Sequence, residues 1–497
     1  MRRPLFRLKH AARRALRDEH GGGTVFALIW SLLCLILAGI AIDGTNAWRF
    51  RQLLQQTADV AAHAGVVALA RGETDAQAHA AALAAVQFNM ASSKYGSVIN
   101  DADADILLVH YDDDTNTVSL GGTRNAVSVT VHRSTLNANP VETFLLKLAA
   151  LSNLDFAALR RWNVAATGVA ALVETKRCNS PDGIYAKGQM TLTSQNAIGA
   201  GYCLHSQTEV WLPQQNSFGE RTGLSMPDLV DCGSKCVDSA NPGVEPAAFE
   251  RNLLLTDLGG HIAATVAAFT DESVTSTAES DFWAGKALDT DLQALTDIGI
   301  DPDTLDTGSV VALSQAQFTG LARVPEGLTY AVTCTANGNG PGTIVDIDSS
   351  FGGDQLEDIA LITNCTVNFG ADAAVEGSLV VTTRVANSAT LTAESGARAG
   401  DPSNGCAPGS KTYIMSASDM SVPADFTGSN IAFMVDADVN VAAASSSGTL
   451  THNGTSIHAT GDVQIAAQHQ FNPCNEEPSG LMPKLRVIRH VAPANVS

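Results

Sequence analysis

Residues 24–42 read Thr-Val-Phe-Ala-Leu-Ile-Trp-Ser-Leu-Leu-Cys-Leu-Ile-Leu-Ala-Gly-Ile-Ala-Ile, nineteen positions without a charge. At 1.5 Å per residue a helix of this length covers about 28 Å, close to the hydrocarbon thickness of a bilayer. The charge of the chain divides at this stretch. Residues 1–20 carry seven basic groups (Arg2, Arg3, Arg7, Lys9, Arg13, Arg14, Arg17) and two acids (Asp18, Glu19), a net of +5. The whole chain has 30 Lys+Arg against 51 Asp+Glu, a net of −21, so the remaining 477 residues hold −26. Basic flanks stay cytoplasmic, which sets the N-terminus inside and the body outside. The alternative is a cleaved signal peptide with Gly39-Ile40-Ala41 as its small-x-small site. The apolar run is longer than a signal core, and the residues after it are helical in composition.

Working outward, Trp48, Arg49, Phe50 and Arg51 form an aromatic and basic collar of the kind found at membrane interfaces. Residues 51–70, RQLLQQTADVAAHAGVVALA, contain no proline and are rich in Ala, Leu and Gln, which predicts a continuing helix. Leu53, Val60, Ala64 and Val67 recur at helical spacing and form a candidate face for a partner helix. Packing of this helix onto its own domain is an equal alternative. A second helix is expected over 74–90.

The order of these pieces resembles the N-terminal segment of TadG-like proteins of the tight-adherence (Tad/Flp) pilus assembly system. The resemblance rests on Gly21-Gly22-Gly23, the apolar run ending in Ile42-Asp43, the collar, and Leu54-Gln55-Gln56-Thr57-Ala58-Asp59 leading into Ala-rich helix. Cys406–Gly409, Thr329–Cys334 and Phe471–Cys474 add weaker likenesses. The resemblance implies a single-pass bacterial inner-membrane protein with a periplasmic body, working in adherence alongside other pilus assembly proteins. Pilin-like relatives are cut after Gly with Glu five residues on. Leu28 stands five residues after Gly23, so no such processing is expected. The metal-site motif Asp-x-Ser-x-Ser carried by longer relatives is absent from the sequence.

The expected fold is α+β and multidomain. A basic cytoplasmic tail (1–23), the transmembrane helix (24–42) and a helical extension (43–92) lead into a small pilin-like α/β head (93–175). A first portion of right-handed parallel β-solenoid (176–245), a helical insertion (246–322), the main solenoid (323–476) and a C-terminal tail (477–497) come after it. In the head, Asp105–Tyr111 and Val127–His132 are strand candidates around the turn residues Asp112–Asn116, and 141–151 has helical spacing. Beyond Cys178, short β-prone runs alternate with Gly, Asn, Asp and Ser, as in stacked parallel turns of chain; a β-sandwich is the alternative. No rung length is evident. Aromatic residues make up only 5% of the chain, which suits thin, repetitive packing better than a large aromatic-lined pocket.

Nine cysteines are present. Cys34 falls inside the apolar run and reads as a small filler. The other eight lie on the outer, oxidising side and suggest disulfides, although eight allow 105 pairings. Nearest neighbours give Cys178–Cys203, Cys232–Cys236, Cys334–Cys365 and Cys406–Cys474.

Signs of catalysis are missing from the sequence: there is no G-x-S-x-G, H-E-x-x-H, Walker A or strand-associated G-x-G-x-x-G pattern. No enzyme activity and no cofactor are expected. The acidic balance argues against nucleic acid. Asp436 and Asp438 are expected on a solvated acidic face. Asp346, Asp348, Ser350, Asp354 and Glu357 match EF-hand spacing and form a calcium candidate, but Phe351 stands where the turn needs Gly, so an acidic turn without metal is expected. The reading is a non-enzymatic pilus-assembly component acting by protein–protein binding, with self-association open. The alternative is a membrane-anchored β-helical protein that binds or cleaves glycans.

Overall fold

The computed structural model describes residues 22–112, 115–149, 161–174, 182–237, 239–271, 273–335, 343–348, 355–371, 373–400, 406, 411–444, 448–474, 480–483 and 485–491. The chain forms two compact units, residues 1–173 with 488–497, and residues 174–487.

The first unit is built on one long helix, α1 (Gly22–Ala70). It is apolar enough over its N-terminal part, and long enough, to cross a membrane. It runs 49 residues without a proline, about 73 Å at 1.5 Å per residue. It stops where Gly72 takes φ +79°, a left-handed turn that a side chain would oppose. Helix α2 (Asp75–Asn89) begins at Thr74 with a capping box: Gln77 N–H donates to the Thr74 hydroxyl, and Thr74 N–H donates to Gln77 Oε1 at 2.8 Å.

Strands β1 (Ile106–Asp112), β2 (Thr117–Ser119), β3 (Ala126–Arg133) and β6 (Val164–Glu174) pair antiparallel, with β1 between β2 and β3 and β6 beyond β3. Two short strands, β4 (Val141–Glu142) and β5 (Arg161–Trp162), form a separate ladder between β3 and β6 in the chain. The segment set apart in sequence as a C-terminal tail supplies the fifth strand of the sheet, Arg486–Val491, beside β6. The helical spacing over 141–151 yields β4 and one turn of helix, Leu146–Ala149; 150–160 lie outside the described residues.

The second unit is a large parallel-strand body. The chain visits three faces in turn: an 11-stranded sheet, an 8-stranded sheet, and a third face of two 4-stranded sheets. Beginning at β7 (Gly183–Ala186), β8 (Met190–Leu192) and β9 (Ala197–Ile198), it returns at Cys203 and again at Gly223, each 20 residues after the strand it pairs with (183, 203, 223). The strand Ala248–Glu250 ends this stretch at one edge of the 11-stranded sheet.

The chain then crosses to the opposite edge, where Val310–Ser314 starts a second stretch. Ten strand spacings of about 4.8 Å separate the edges, roughly 48 Å. Residues between carry the helices Leu258–Thr270 and Thr277–Trp283. Leu258, Ile262, Phe269 and Phe282 pack on Ile362, Leu379, Val381, Met415 and Met434, the outward side chains of the 11-stranded sheet. That cover explains why its strands are apolar on both sides, as parallel strands between two layers must be. The second stretch proceeds pass by pass until Ser456–Ala459 pairs with β7 in parallel register, Ile457 opposite Ile184. Val463 then lies opposite Met190 and Phe471 opposite Ile198.

The inward side chains form one continuous column: Val311, Tyr330, Leu361, Val380, Ile414, Phe433, Ile457, Ile184, Leu204 and Leu224. All ten belong to a single buried core.

Disulfides join Cys232–Cys236, Cys334–Cys365 and Cys406–Cys474, as neighbour pairing predicts. Cys203 is also disulfide-bonded, while Cys178, its expected partner, lies outside the described residues. Cys34 is a free thiol, exposed on α1.

Candidate interaction site

Helix α1 divides its surface beyond the apolar span. Leu54, Ala58, Ala61, Ala62 and Val66 are fully buried. Small residues make this packing tight. A Cβ on Gly65 would stand 3.0 Å from Val127 of β3, and one on Gly168 of β6 would stand 2.6 Å from the backbone of Ala58. Gln55 Nε2 donates to Asp59 Oδ1 at 2.9 Å and to the Thr167 carbonyl at 3.0 Å, fixing the helix to β6.

The expected partner stripe is the neighbouring one. Val60 is 50% exposed, and Leu53, Ala64 and Val67 are half-buried along the seam. Self-packing uses the face beside them and leaves Val60 outward. The His63 ring stacks on His490, centroids 5.6 Å apart. Burial, then His490, lowers the pKa of His63.

The 8-stranded sheet of the second unit presents a different surface. In register across it stand Asp346, Asn368, Thr392, Ser421, Asn440, Gln464, Thr191 and Trp211. None of these side chains is buried, and Trp211 is 53% exposed. At the Trp211 end they form an open recess of about 470 Å³ with Gln189 and Glu209. Beside this row runs a column of acids at the turns. Asp438 N–H donates to Asp419 Oδ1 at 3.2 Å, Asp462 N–H to Asp438 Oδ1 at 2.8 Å, and Gln189 N–H to Asp462 Oδ1 at 2.7 Å. Asp436 accepts from the Thr460 hydroxyl at 2.9 Å. These carboxylates hold successive passes together.

Of the calcium candidates, Asp346 lies in the strand Ile344–Ile347 and accepts from Asn368 Nδ2 at 3.1 Å, and Glu357 ends the strand Gln355–Glu357 in a different sheet. Asp348 comes directly after the first strand; Ser350 and Asp354 lie outside the described residues. Among the described residues no three His, Cys, Asp or Glu side chains converge as a metal site would require.

His452 and His458 are buried, and each has a ring partner. His458 stacks on Tyr185, centroids 4.8 Å apart, across the ladder where the second stretch meets the first. Gly428 N–H donates to His452 Nδ1 at 3.3 Å. That leaves the His452 Nε2 proton to His469 Nδ1 at 2.9 Å, and the His469 Nε2 proton to the Ala442 carbonyl at 2.8 Å. Both rings are neutral in this chain of donors. His205 Nδ1 meets the Ser225 hydroxyl at 2.9 Å, but both residues are completely buried, so this pair has no access to substrate. Pairings 17 to 20 residues apart become visible only once the length of a pass is known.

A family model described as a domain of unknown function (DUF7867) matches residues 183–475, from the first residue of β7 to just past Cys474. No curated protein and no solved structure matches the chain.

Proposed function

Since the chain belongs to the DUF7867 family, whose model spans more than half of it, we propose its role from its own architecture: a non-enzymatic component of a Tad/Flp-type pilus assembly system. In this reading α1 is retained as a single-pass anchor in the bacterial inner membrane, N-terminus cytoplasmic. The two units lie in the periplasm and act by binding other assembly proteins. The parallel-strand body is a right-handed β-solenoid, the hand that parallel crossovers almost always take.

The observation that carries the reading is the unbroken course of α1 from the apolar span into the packed first unit, with the Val60 face left outward. Gly39-Ile40-Ala41 sits mid-helix and Gly39 is buried, a poor presentation for a signal peptidase. Disulfides in the body agree with a periplasmic setting. Photo-crosslinking in cells from Val60 and Val67 tests the role. Adducts with pilus assembly proteins, and loss of pili on deletion, are expected. Adducts confined to unrelated proteins, with piliation intact on deletion, reject it.

The row Asn368–Thr392–Ser421–Asn440–Gln464–Thr191 ending at Trp211 favours a second reading, a surface for an extended glycan. Neutral hydrogen-bonding side chains at regular spacing with an exposed indole suit a sugar polymer. Retention on immobilised polysaccharide that Trp211→Ala abolishes is the result that reading requires.

A further inference from the structure

Asp43 comes directly after the apolar span, yet its side chain is only 1% exposed. Its carboxylate is taken up by three main-chain donors from a segment a hundred residues later. Phe144 N–H donates to Oδ1 at 2.7 Å, Leu145 N–H to Oδ2 at 3.1 Å, and Leu146 N–H to Oδ2 at 2.8 Å. One helical turn earlier, on the same face of α1, a Cβ on Gly39 would stand 3.2 Å from Leu145 Cβ and 3.8 Å from Leu146 Cδ2. Residues 144–146 therefore lie flat against α1 at the level of Gly39 to Asp43.

That level fixes where they sit relative to a bilayer. Gly39 is three residues inside the end of the apolar span, about 4.5 Å along the helix axis. A segment touching Gly39 reaches the same depth as the hydrocarbon edge. Main-chain N–H groups at that depth have no water to bond, and the Asp43 carboxylate supplies their acceptors. Phe144 uses its N–H on Asp43 and leaves its ring 65% exposed. The segment is rooted in charged residues: Lys147 Nζ bonds Glu142 at 2.7 Å and Arg161 Nε bonds Glu142 at 3.2 Å, in and beside the β4–β5 ladder.

We propose that Thr143–Leu146 is a second membrane contact, in which Phe144 enters the boundary between headgroups and acyl chains of the bilayer that α1 crosses. The first unit is thereby seated on the membrane surface and not carried on a free stalk. The choice of lipid comes from continuity with the spanning helix, and an aromatic ring at a charged root is the usual occupant of that boundary. The inference rests on α1 being a retained anchor.

The test uses the full-length protein in phosphatidylcholine vesicles. An environment-sensitive fluorophore is placed at Phe144→Cys in a Cys34→Ala background, and at Phe88→Cys and Leu136→Cys, which replace side chains 89% and 85% exposed in the same unit. A fourth sample carries the label on native Cys34. The label at 144 is expected to emit to the blue and to lose most of its intensity to shallow nitroxide lipids, while those at 88 and 136 keep theirs. The Cys34 label is expected to be quenched by deep nitroxide lipids. Water-like emission at 144 with Cys34 quenched overturns the membrane contact alone. No quenching at Cys34 overturns the anchor and the contact with it. Equal quenching at 144, 88 and 136 reports general adsorption and also overturns it. Phe144 serves the fold through its main chain, so the substitution leaves the Asp43 bonds in place.

Discussion

Lys411 Nζ lies 2.8 Å from Asp182 Oδ1, with both side chains almost wholly buried, 229 residues apart in sequence. Asp182 directly precedes β7, where the two parallel stretches meet, and Lys411 reaches it from just before the strand Thr412–Ser416, which two other strands separate from β7. The other carboxylate oxygen of Asp182 accepts from Cys474 N–H at 2.6 Å. Lys411→Met removes the cation facing a buried carboxylate and is expected to cost about 3 kcal/mol in urea unfolding. The double variant Asp182→Asn/Lys411→Met, which removes the charge as well, is expected to recover more than half of that loss. Equal stability of the single and double variants contradicts a coupled pair.

Three buried histidines give the second unit an acid limit. Burial lowers the pKa of His205 to about 4, and of His452 and His458 to about 3, from the ordinary 6.5. A folded pKa below the unfolded one means the unfolded chain binds more protons between the two values. The stability these neutral rings contribute is present above pH 6.5 and is lost as pH falls toward 3. Each group contributes a slope of about 1.4 kcal/mol per pH unit inside its window. His458→Phe keeps a ring against Tyr185 and removes one titration. Denaturant unfolding across pH 6.5 to 4 is expected to show a slope shallower by about that amount, and an unchanged slope rejects the assignment.

Much of this architecture was legible in the sequence. The apolar run and the proline-free stretch after it specify α1, because helix length and composition are local properties. Alternation in 127–132 specifies β3 for the same reason. The three described disulfides agree with proximity along the chain. The closure of β7 on Ser456–Ala459 was not legible, since ladder partners 273 residues apart leave no local mark. The 20-residue repeat is legible too, but strand propensity passes over it and only a comparison at fixed offset brings it out. Gln189-x-x-Leu192-x-x-Gln195-Asn196 recurs as Glu209-x-x-Leu212-x-x-Gln215-Asn216. Within it Gln195 and Gln215 both adopt positive φ, 64° and 63°. For the interaction face, spacing identified an apolar stripe, but the side chosen for self-packing depended on where Gly65 and Gly168 let β3 and β6 approach.

The disulfides differ in the chain they constrain. Cys406–Cys474 spans 68 residues and Cys232–Cys236 spans 4. On the chain-entropy account the long loop stabilises by about 4 kcal/mol and the short one by about 2 kcal/mol. Cys406→Ala/Cys474→Ala is therefore expected to lower the thermal midpoint more than Cys232→Ala/Cys236→Ala. Equal losses would show that local packing outweighs loop length.

Gly168 sets the approach of β6 to α1. A methyl there would stand 2.6 Å from both the Ala58 carbonyl carbon and the Asp59 nitrogen, atoms that yield only if the helix moves. Gly168→Ala is expected to destabilise the first unit by about 2 kcal/mol. Hydrogen exchange should rise along Leu53–Ala62 and stay unchanged in the second unit. Uniform exchange in both units would contradict a local clash.

The repeat also places an asparagine at the same corner of successive passes. Asn196 N–H donates to Asn216 Oδ1 at 3.1 Å, and Asn216 N–H donates to Asn241 Oδ1 at 3.0 Å. Asn216 Nδ2 donates back to the preceding pass, to the Thr193 carbonyl at 2.8 Å. Asn216 is fully buried, so the groups it serves have no water to replace it. Asn216→Ala strands the Asn196 N–H and the Thr193 carbonyl, both in the preceding pass, and the loss is expected to reach about 3 kcal/mol. Asn216→Asp retains the acceptor but buries a charge without its donors, so it is expected to lose as much at pH 7 and to regain part of it near pH 4, where the carboxyl protonates. That recovery, measured against Asn216→Ala at both pH values, separates a hydrogen-bond ladder from simple filling of space, for which alanine and aspartate would keep the same order at either pH.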